Sequence, residues 1–191
     1  MSTTKPLSTK VETESTRIAV FDIESTGLNA DFAVVLCAVV KPLGEPAETY
    51  AMRNIGSDDS EVVGDIIAAL SCYDVLVAYN GKQFDRRFLN TRALRWGIKP
   101  LSMDIPLKDP FLAAKRYMNV SFRSLGQLSY FLKTRHRKSS VDGEVWLQAT
   151  LDRNEMAFRH IVTHCKADVL VLEEVTQKLV PLCGPIESWR V

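Results

Sequence analysis

The 191-residue sequence lacks several features that define other classes of protein. No apolar run reaches the roughly 18 residues that a membrane-spanning helix needs, so we expect no contact with a membrane. No serine or cysteine stands in a nucleophile elbow, which leaves covalent acyl chemistry without support. The cysteines show neither CxxC spacing nor a paired pattern, and we expect reduced thiols in a cytoplasmic protein. These four cysteines are Cys37, Cys72, Cys165 and Cys183.

The two ends of the sequence are predicted as tails. Residues 1–16 are mostly Ser, Thr, Lys and Glu without an apolar centre, which is typical of a flexible segment and not of a secretory signal. Residues 183–191 are interpreted as a C-terminal tail. Residues 17–182 then form one predicted domain, and a content of 46% hydrophobic and 25% charged residues is that of a globular protein.

Charge is distributed unevenly, although the net charge is only +1. Between Lys82 and Lys138 there are 14 Lys and Arg against 3 Asp and Glu, so the rest of the chain carries 10 basic and 20 acidic residues. A basic middle third favours a surface that binds a polyanion. Solvated helix faces whose charges happen to cluster are an equal alternative.

Hydrophobic periodicity predicts alternating strands and helices. The predicted strands are 17–22, 32–41, 49–55 and 75–78, of which the second and third form a hairpin. The predicted helices are 58–71, 84–96, 110–117 and 121–132, followed by one long helix or two over 153–179. Hairpin strands first and helices last imply an α/β domain in which helices cover a mixed sheet.

A pair of acids ends the first predicted strand. Residues i and i+2 of a strand point to the same side, so Asp22 and Glu24 project together. Two crowded carboxylates repel each other, and their burial is unfavourable unless a positive charge lies between them. Hard divalent cations with oxygen ligands are the natural partner. A strand that runs out into an acidic, solvated loop is the alternative.

Two further segments carry polar residues next to apolar elements. Asn80 follows a buried strand, and Asp85 opens a helix, where it can also serve as a partner of the helix dipole. The Gly81-Lys82 pair lacks the upstream glycine of a phosphate-binding loop, which argues against a nucleotide triphosphatase. His164 and Asp168 lie one turn apart on a helical segment, where an ordinary ion pair is the alternative.

The order of these motifs resembles that of the DEDD (DnaQ-like) superfamily of 3′→5′ exonucleases. Phe-Asp-Ile-Glu-Ser-Thr-Gly-Leu at 21–28 is similar to its first motif. Tyr-Asn-Gly-x-x-Phe-Asp at 79–85 resembles the second motif of the branch related to the exonuclease domain of family-B DNA polymerases, and residues 165–169 resemble the third. The resemblance implies a ribonuclease H-like fold with a mixed five-stranded sheet, hairpin strands first and parallel strands after, flanked by helices.

The resemblance also implies a mechanism. Asp22, Glu24, Asp85 and Asp168 would hold two Mg²⁺ or Mn²⁺ ions, and nucleoside monophosphates would be released from a 3′ end. The superfamily has His five positions, or Tyr four positions, before the last Asp, whereas this sequence has His164 at the four-residue spacing. His164 is the candidate general base or water-orienting group, and its role stays open.

The predicted partner is a nucleic acid with a free 3′ end, single-stranded in preference, and the sequence leaves DNA or RNA open. The resemblance assigns contacts with the terminal nucleotides to Thr26, Leu28, Asn80 and Phe84. The basic loop would grip phosphates or remain solvated, and its candidate residues are Lys133, Arg135, Arg137 and Lys138.

Two alternatives remain at this point. One is an endonuclease or structure-specific ribonuclease on the same fold, and the other is a binding module of a larger assembly with a vestigial acidic site. Asp104 also ends a short β-like run, but we interpret it as structural because it lacks the Asn-Gly-x-x-Phe context of Asp85.

Overall fold

A computed structural model of the chain describes residues 15–56 and 58–191, so most of the predicted N-terminal tail lies outside the described residues. Its central element is a five-stranded sheet in the order β3-β2-β1-β4-β5. β1, β2 and β3 are antiparallel neighbours, whereas β4 and β5 run parallel to β1. The strands are β1 (Ile18–Ser25), β2 (Val35–Pro42), β3 (Glu48–Ala51), β4 (Val75–Val77) and β5 (Leu107–Lys108). The predicted mixed sheet is thus confirmed.

Helices cover both faces of this sheet, as the sequence predicts. They are α1 (Ser60–Leu70), α2 (Asp85–Arg95), α3 (Pro110–Tyr117), α4 (Leu125–Phe131), α5 (Gly143–Thr150) and α6 (Glu155–Cys183). One apolar core lies between the sheet and α3 to α6, and a second lies between the sheet and α1 with α2. β1 contributes to both, because Val20 faces the first core while Phe21 and Ile23 face the second.

The long C-terminal helix is one element and not two. Asn154 caps α6, and its side-chain oxygen accepts hydrogen bonds from the backbone N–H groups of Met156 and Ala157 at 2.9 and 3.0 Å. The helix ends at Gly184, whose φ of 80° favours glycine. Among residues 15–56 and 58–191, no helix combines the length and apolarity needed to cross a bilayer.

Some elements differ from the sequence prediction. α5 was not predicted, because it is short and Ala149 is its one fully buried residue. The β-like run at 102–105 forms a turn, and the fifth strand follows it at β5. The segment 183–191, interpreted as a tail, contains a 3₁₀ turn (Ile186–Ser188) and packs the side chain of Trp189, which is 3% exposed. The backbone oxygen of Trp189 accepts a hydrogen bond from Lys108 Nζ at 2.6 Å.

Candidate metal centre

β1 directs its two acids toward α6. Val20, Asp22 and Glu24 alternate with Phe21 and Ile23, so the two carboxylates share the face of the sheet that α6 covers. The neighbouring strand β2 places apolar residues opposite both acids, with Val39 paired to Asp22 and Cys37 paired to Glu24. The acids therefore lie at the edge of an apolar core.

Asp85 reaches the same place from the turn after β4. Gly81 in this turn has no room for a side chain, because an added Cβ would lie 2.3 Å from the Cβ of Ala78. Asn80 adopts a φ of 58°, and its N–H donates to Asp109 Oδ1 at 2.9 Å. The turn delivers Asp85, 2% exposed, to β1, where its Oδ1 accepts a hydrogen bond from the N–H of Ile23 at 3.3 Å.

α6 contributes the remaining polar groups. His164 and Asp168 lie one turn apart, with 3.7 Å between His164 Nε2 and Asp168 Oδ2. His164 Nε2 is also 3.8 Å from Glu24 Oε1, and its Nδ1 is 2.6 Å from Ser139 Oγ. The buried Asp168 Oδ1 has no hydrogen-bond partner. β1, α2 and α6 therefore converge on one acidic cluster.

The pKa values of three carboxyl groups in this cluster are raised. Burial, followed by the charge of Asp168, raises the pKa of Asp22 to about 7. Burial and then the charges of Asp22 and Asp168 raise the pKa of Glu24 to about 9. Burial and then the charge of Asp22 raise the pKa of Asp85 well above its ordinary value. The carboxylates destabilise one another in their charged forms, and a divalent cation would relieve this repulsion.

His164 is kept neutral by its surroundings. Burial lowers its pKa, and the charge of Asp168 only partly opposes this effect. An uncharged imidazole beside the acids can accept a proton at neutral pH. The hydroxyl of Ser139 fixes the ring through Nδ1, which leaves Nε2 directed toward Glu24 and Asp168.

Lys138 lies inside the acidic cluster. Its Nζ forms a hydrogen-bonded ion pair with Asp168 Oδ2. The sequence offers Lys138 as a phosphate contact from a basic loop, whereas the structure places its ammonium group against a candidate metal ligand. Its positive charge lowers the pKa of Asp22 and of Glu24, after the larger raising effects of burial and neighbouring acids.

Cys165 belongs to the same cluster, although the sequence suggested only a buried thiol. Its Sγ lies 3.5 Å from the backbone oxygen of Asp22 and 3.7 Å from Asp22 Oδ2. One ligand atom from each of Asp22, Glu24 and Cys165 lies within 4.8 Å of the others. A signal was present, because Cys165 directly follows His164 on a helix whose neighbouring apolar positions predict the core-facing side.

The predicted nucleotide contacts surround the end of β1 and the start of α2. Leu28 is 82% exposed, and it lines an open groove of about 370 Å³ together with Phe84, whose ring packs on Phe88 with 5.4 Å between ring centroids. Thr26 has a structural role, since its Oγ1 accepts a hydrogen bond from Val34 N at 3.0 Å and closes the β1–β2 connection. Asn80 lies in the turn that carries Asp85.

The other residues of the basic loop vary in their surroundings. Lys133 is exposed and has a φ of 54°. Arg135 lies near Glu174, with 3.8 Å between Nε and Oε1, and Arg137 donates to the backbone oxygen of Ser129 at 3.1 Å. Outside the loop, Arg92 of the basic middle third is buried in an ion pair. The basic composition is therefore partly structural.

Comparisons with known proteins agree with this architecture. A sequence model of the RNase H superfamily matches residues 19–180. A PolC-type DNA polymerase III of Ureaplasma parvum is 33% identical over 106 residues, which cover 43% of this chain and 7% of the relative. The structure of a family B DNA polymerase from the archaeon Pyrobaculum calidifontis superimposes with a TM-score of 0.71 at 18% identity, covering 88% of this chain and 25% of that one.

The chain thus spans only a small part of either polymerase. The superposition on the solved structure shows a shared fold and, at 18% identity, no more than that. The family model covers nearly the whole sheet and its helices. The predicted ribonuclease H-like relationship is confirmed by the family model. Because the family model matches residues 19–180, the chain belongs to the RNase H superfamily.

Proposed function

We propose that this chain is a 3′→5′ exonuclease that uses two Mg²⁺ or Mn²⁺ ions to hydrolyse phosphodiester bonds of DNA or RNA. The single observation that carries this proposal is the convergence of four carboxylates from β1, α2 and α6, with Asp168 Oδ1 buried and unpartnered. Membership of the RNase H superfamily and similarity to DNA polymerases support a nucleic acid as substrate.

The carboxylates are suited to hold the ions. Hard oxygen ligands come from Asp22, Glu24, Asp85 and Asp168. The raised pKa values of Asp22 and Glu24 show that their charged forms are destabilised, and a bound cation would offset this destabilisation. When bound, such ions supply a water of lowered pKa and stabilise the departing oxygen. The charge of Asp22 raises the pKa of both Glu24 and Asp85, and we assign Asp22 as the residue that would serve both ions.

His164 is proposed as the general base or water-orienting group. Its lowered pKa keeps the ring neutral near pH 7, and Ser139 orients it through Nδ1. Nε2, which lies near both Glu24 and Asp168, can accept a proton from a water at the metal centre.

The terminal nucleotide is proposed to bind in the groove lined by Leu28 and Phe84. Leu28 exposes an apolar surface that can pack on a base, and the partly buried ring of Phe84 offers a second one. Single-stranded ends fit such a groove because their bases are free to stack. Lys133 and Arg137 are proposed to contact phosphates further along the strand.

Digestion of matched 5′-labelled DNA and RNA strands tests the proposal. With Mg²⁺ or Mn²⁺ we expect shortening from the 3′ end in single-nucleotide steps, and with EDTA no reaction. A circular single strand of the same sequence, which has no 3′ end, is the matched control and should resist digestion. Internal cuts or digestion of the circle would favour an endonuclease, and binding without cleavage would favour a binding module.

A further inference from the structure

The thiol of Cys165 gives this acidic cluster a ligand that Mg²⁺ and Mn²⁺ do not need. Cys165 is fully buried on α6, and its Sγ is 3.7 Å from Asp22 Oδ2. Magnesium and manganese favour carboxylate and water oxygens, whereas thiolate sulfur selects softer ions such as Zn²⁺. Asp22 and Glu24 are only partly buried, so a cation has access from solvent.

The distances approach those of a tetrahedral zinc site. Bond lengths of about 2.3 Å to sulfur and 2.0 Å to oxygen place the two ligand atoms about 3.5 Å apart in a tetrahedron. The observed separation between Cys165 Sγ and Asp22 Oδ2 is 3.7 Å. The ligand atoms of Asp22, Glu24 and Cys165 all lie within 4.8 Å of one another, so rotation of their side chains can bring them to bonding distance of one ion.

Two further groups point to a ligand at this place. Asp168 is 5% exposed, and its Oδ1 lacks a hydrogen-bond partner. His164 Nε2 is 3.8 Å from Glu24 Oε1, close to the separation of about 3.3 Å between nitrogen and oxygen ligands of zinc. The Cys165 sulfur and two carboxylates therefore cluster, and the His164 imidazole lies beside Glu24. Sulfur, imidazole nitrogen and carboxylate oxygen are the ligand types of protein-bound Zn²⁺.

We infer that this site binds one thiophilic divalent cation of the Zn²⁺ class through Asp22, Glu24 and Cys165, with His164 as the fourth donor. On binding, the Cys165 thiol transfers its proton to solvent and the sulfur forms the metal bond. The inference shares residues with the proposed function but does not depend on hydrolysis. Because Asp22 and Glu24 serve both sets, Zn²⁺ competes with Mg²⁺ and inhibits the nuclease.

Titration with Co²⁺, a spectroscopic substitute for Zn²⁺, tests the inference in the absence of nucleic acid. The starting protein carries Cys72→Ser and Cys183→Ser, which remove the exposed and the half-buried thiol. We expect a thiolate-to-cobalt charge-transfer band that Zn²⁺ displaces at one equivalent. In this background Cys165→Ser should abolish the band and weaken Zn²⁺ binding at least about tenfold.

Cys37→Ser is the matched control, because Cys37 is a second buried thiol beside Cys165 but is not among the three clustered ligands. The band should persist in Cys37→Ser. Cys165→Ala, followed by circular dichroism, replaces Cys165→Ser if the serine variant does not fold. Absence of the band in the starting protein, or its survival without Cys165, overturns the inference.

Different results would contradict the nuclease proposal and the proposal of a thiophilic metal site. Mn²⁺ binding by the starting protein, followed by electron paramagnetic resonance without added Zn²⁺, reports on the oxygen ligands of the proposed nuclease. Mn²⁺ binding and hydrolysis by the starting protein, together with loss of the cobalt band in Cys165→Ser, agree with both proposals. Missing hydrolysis in a starting protein that still shows the band would remove the nuclease proposal and leave the thiophilic site.

Discussion

In two acidic regions of this molecule, the surroundings shift the pKa values of the carboxyl groups in opposite directions. Asp59, fully buried before α1, accepts hydrogen bonds from Arg92 Nη2 and Trp96 Nε1 at 2.7 Å and from the N–H of Val35 at 2.8 Å. Burial alone would raise its pKa, but these partners outweigh burial and lower it. In the acidic cluster at the candidate metal centre, burial and like charges raise the pKa of Asp22 and Glu24.

The difference separates an acid whose charge the protein itself compensates from acids that we propose as metal ligands. The protein supplies Asp59 with a guanidinium and two N–H donors, so the charge needs nothing from outside. Among residues 15–56 and 58–191, the cation paired with the cluster is the partly exposed Lys138, and Asp168 keeps an unpartnered oxygen. Fold stability alone does not favour such an arrangement, which is typical of sites that bind a cation.

Removal of a cluster acid should have the largest effect on activity. Asp22→Asn keeps the shape but lowers the charge, and we expect hydrolysis to fall by about three orders of magnitude or more, because metal ions contribute several kcal/mol to such reactions. The measurement is the rate at which a 5′-labelled strand is shortened from its 3′ end. Asp104→Asn, an exposed carboxylate in the turn before β5, is the control and should retain full activity. Turnover by purified Asp22→Asn protein would remove the metal-ligand assignment.

Removal of Arg92, the buried partner of Asp59, should make the protein less stable. Arg92→Met retains the aliphatic stem but leaves Asp59 charged and buried, which costs about 3–5 kcal/mol of unfolding free energy. For a domain of this size, each kcal/mol lowers Tm by about 2–4 °C. Arg53→Met, which breaks the exposed pair with Glu61, is the control and should cost less than about 1 kcal/mol. Equal losses in both variants would contradict the comparison.

Substitution of His164 should have an intermediate effect on activity. We expect His164→Gln to lower the rate by about 10²-fold, the lower end of the range for general acid–base groups. The lowered pKa of His164 predicts a wild-type rate that rises with pH and levels off below the ordinary histidine range. Full activity of the variant across the neutral range would exclude the acid–base role.

The smallest effect concerns the stability of the metal-free protein. The pKa of Asp22 lies at 3.8 when unperturbed and about 7 when folded, so the folded state binds its proton more tightly. The resulting stabilisation is present below the unfolded pKa and is lost as pH rises through 7. In EDTA, Asp22→Asn should therefore raise Tm by a few degrees near pH 8 and by little near pH 4. A variant that is less stable near pH 8 would contradict the pKa shift.

Metal addition sharpens the same experiment. Mn²⁺ should raise Tm of the wild-type protein, because a ligand that binds only the folded state stabilises it. The same addition should shift Asp22→Asn much less. An equal shift in both proteins would place the bound ion elsewhere.

Local rules in the sequence predicted much of the fold and of the site. Alternation along β1 predicted that Asp22 and Glu24 share a side, and helical spacing placed His164 one turn from Asp168. α5 escaped prediction because it buries little apolar surface. The packing of 183–191 escaped prediction because the backbone oxygen of Trp189 is bound by a residue far away in sequence, Lys108 of β5.

The sequence by itself determined which residue types are present and which of them share a face of one strand or helix, since both properties depend on near neighbours along the chain. Only the tertiary structure decided that Lys138 faces Asp168 and that the thiol of Cys165 lies beside Asp22. These distances depend on strand order and on the path of the loop before α5. Contacts between residues 30 or 143 positions apart follow from packing of the whole domain, which no local periodicity encodes.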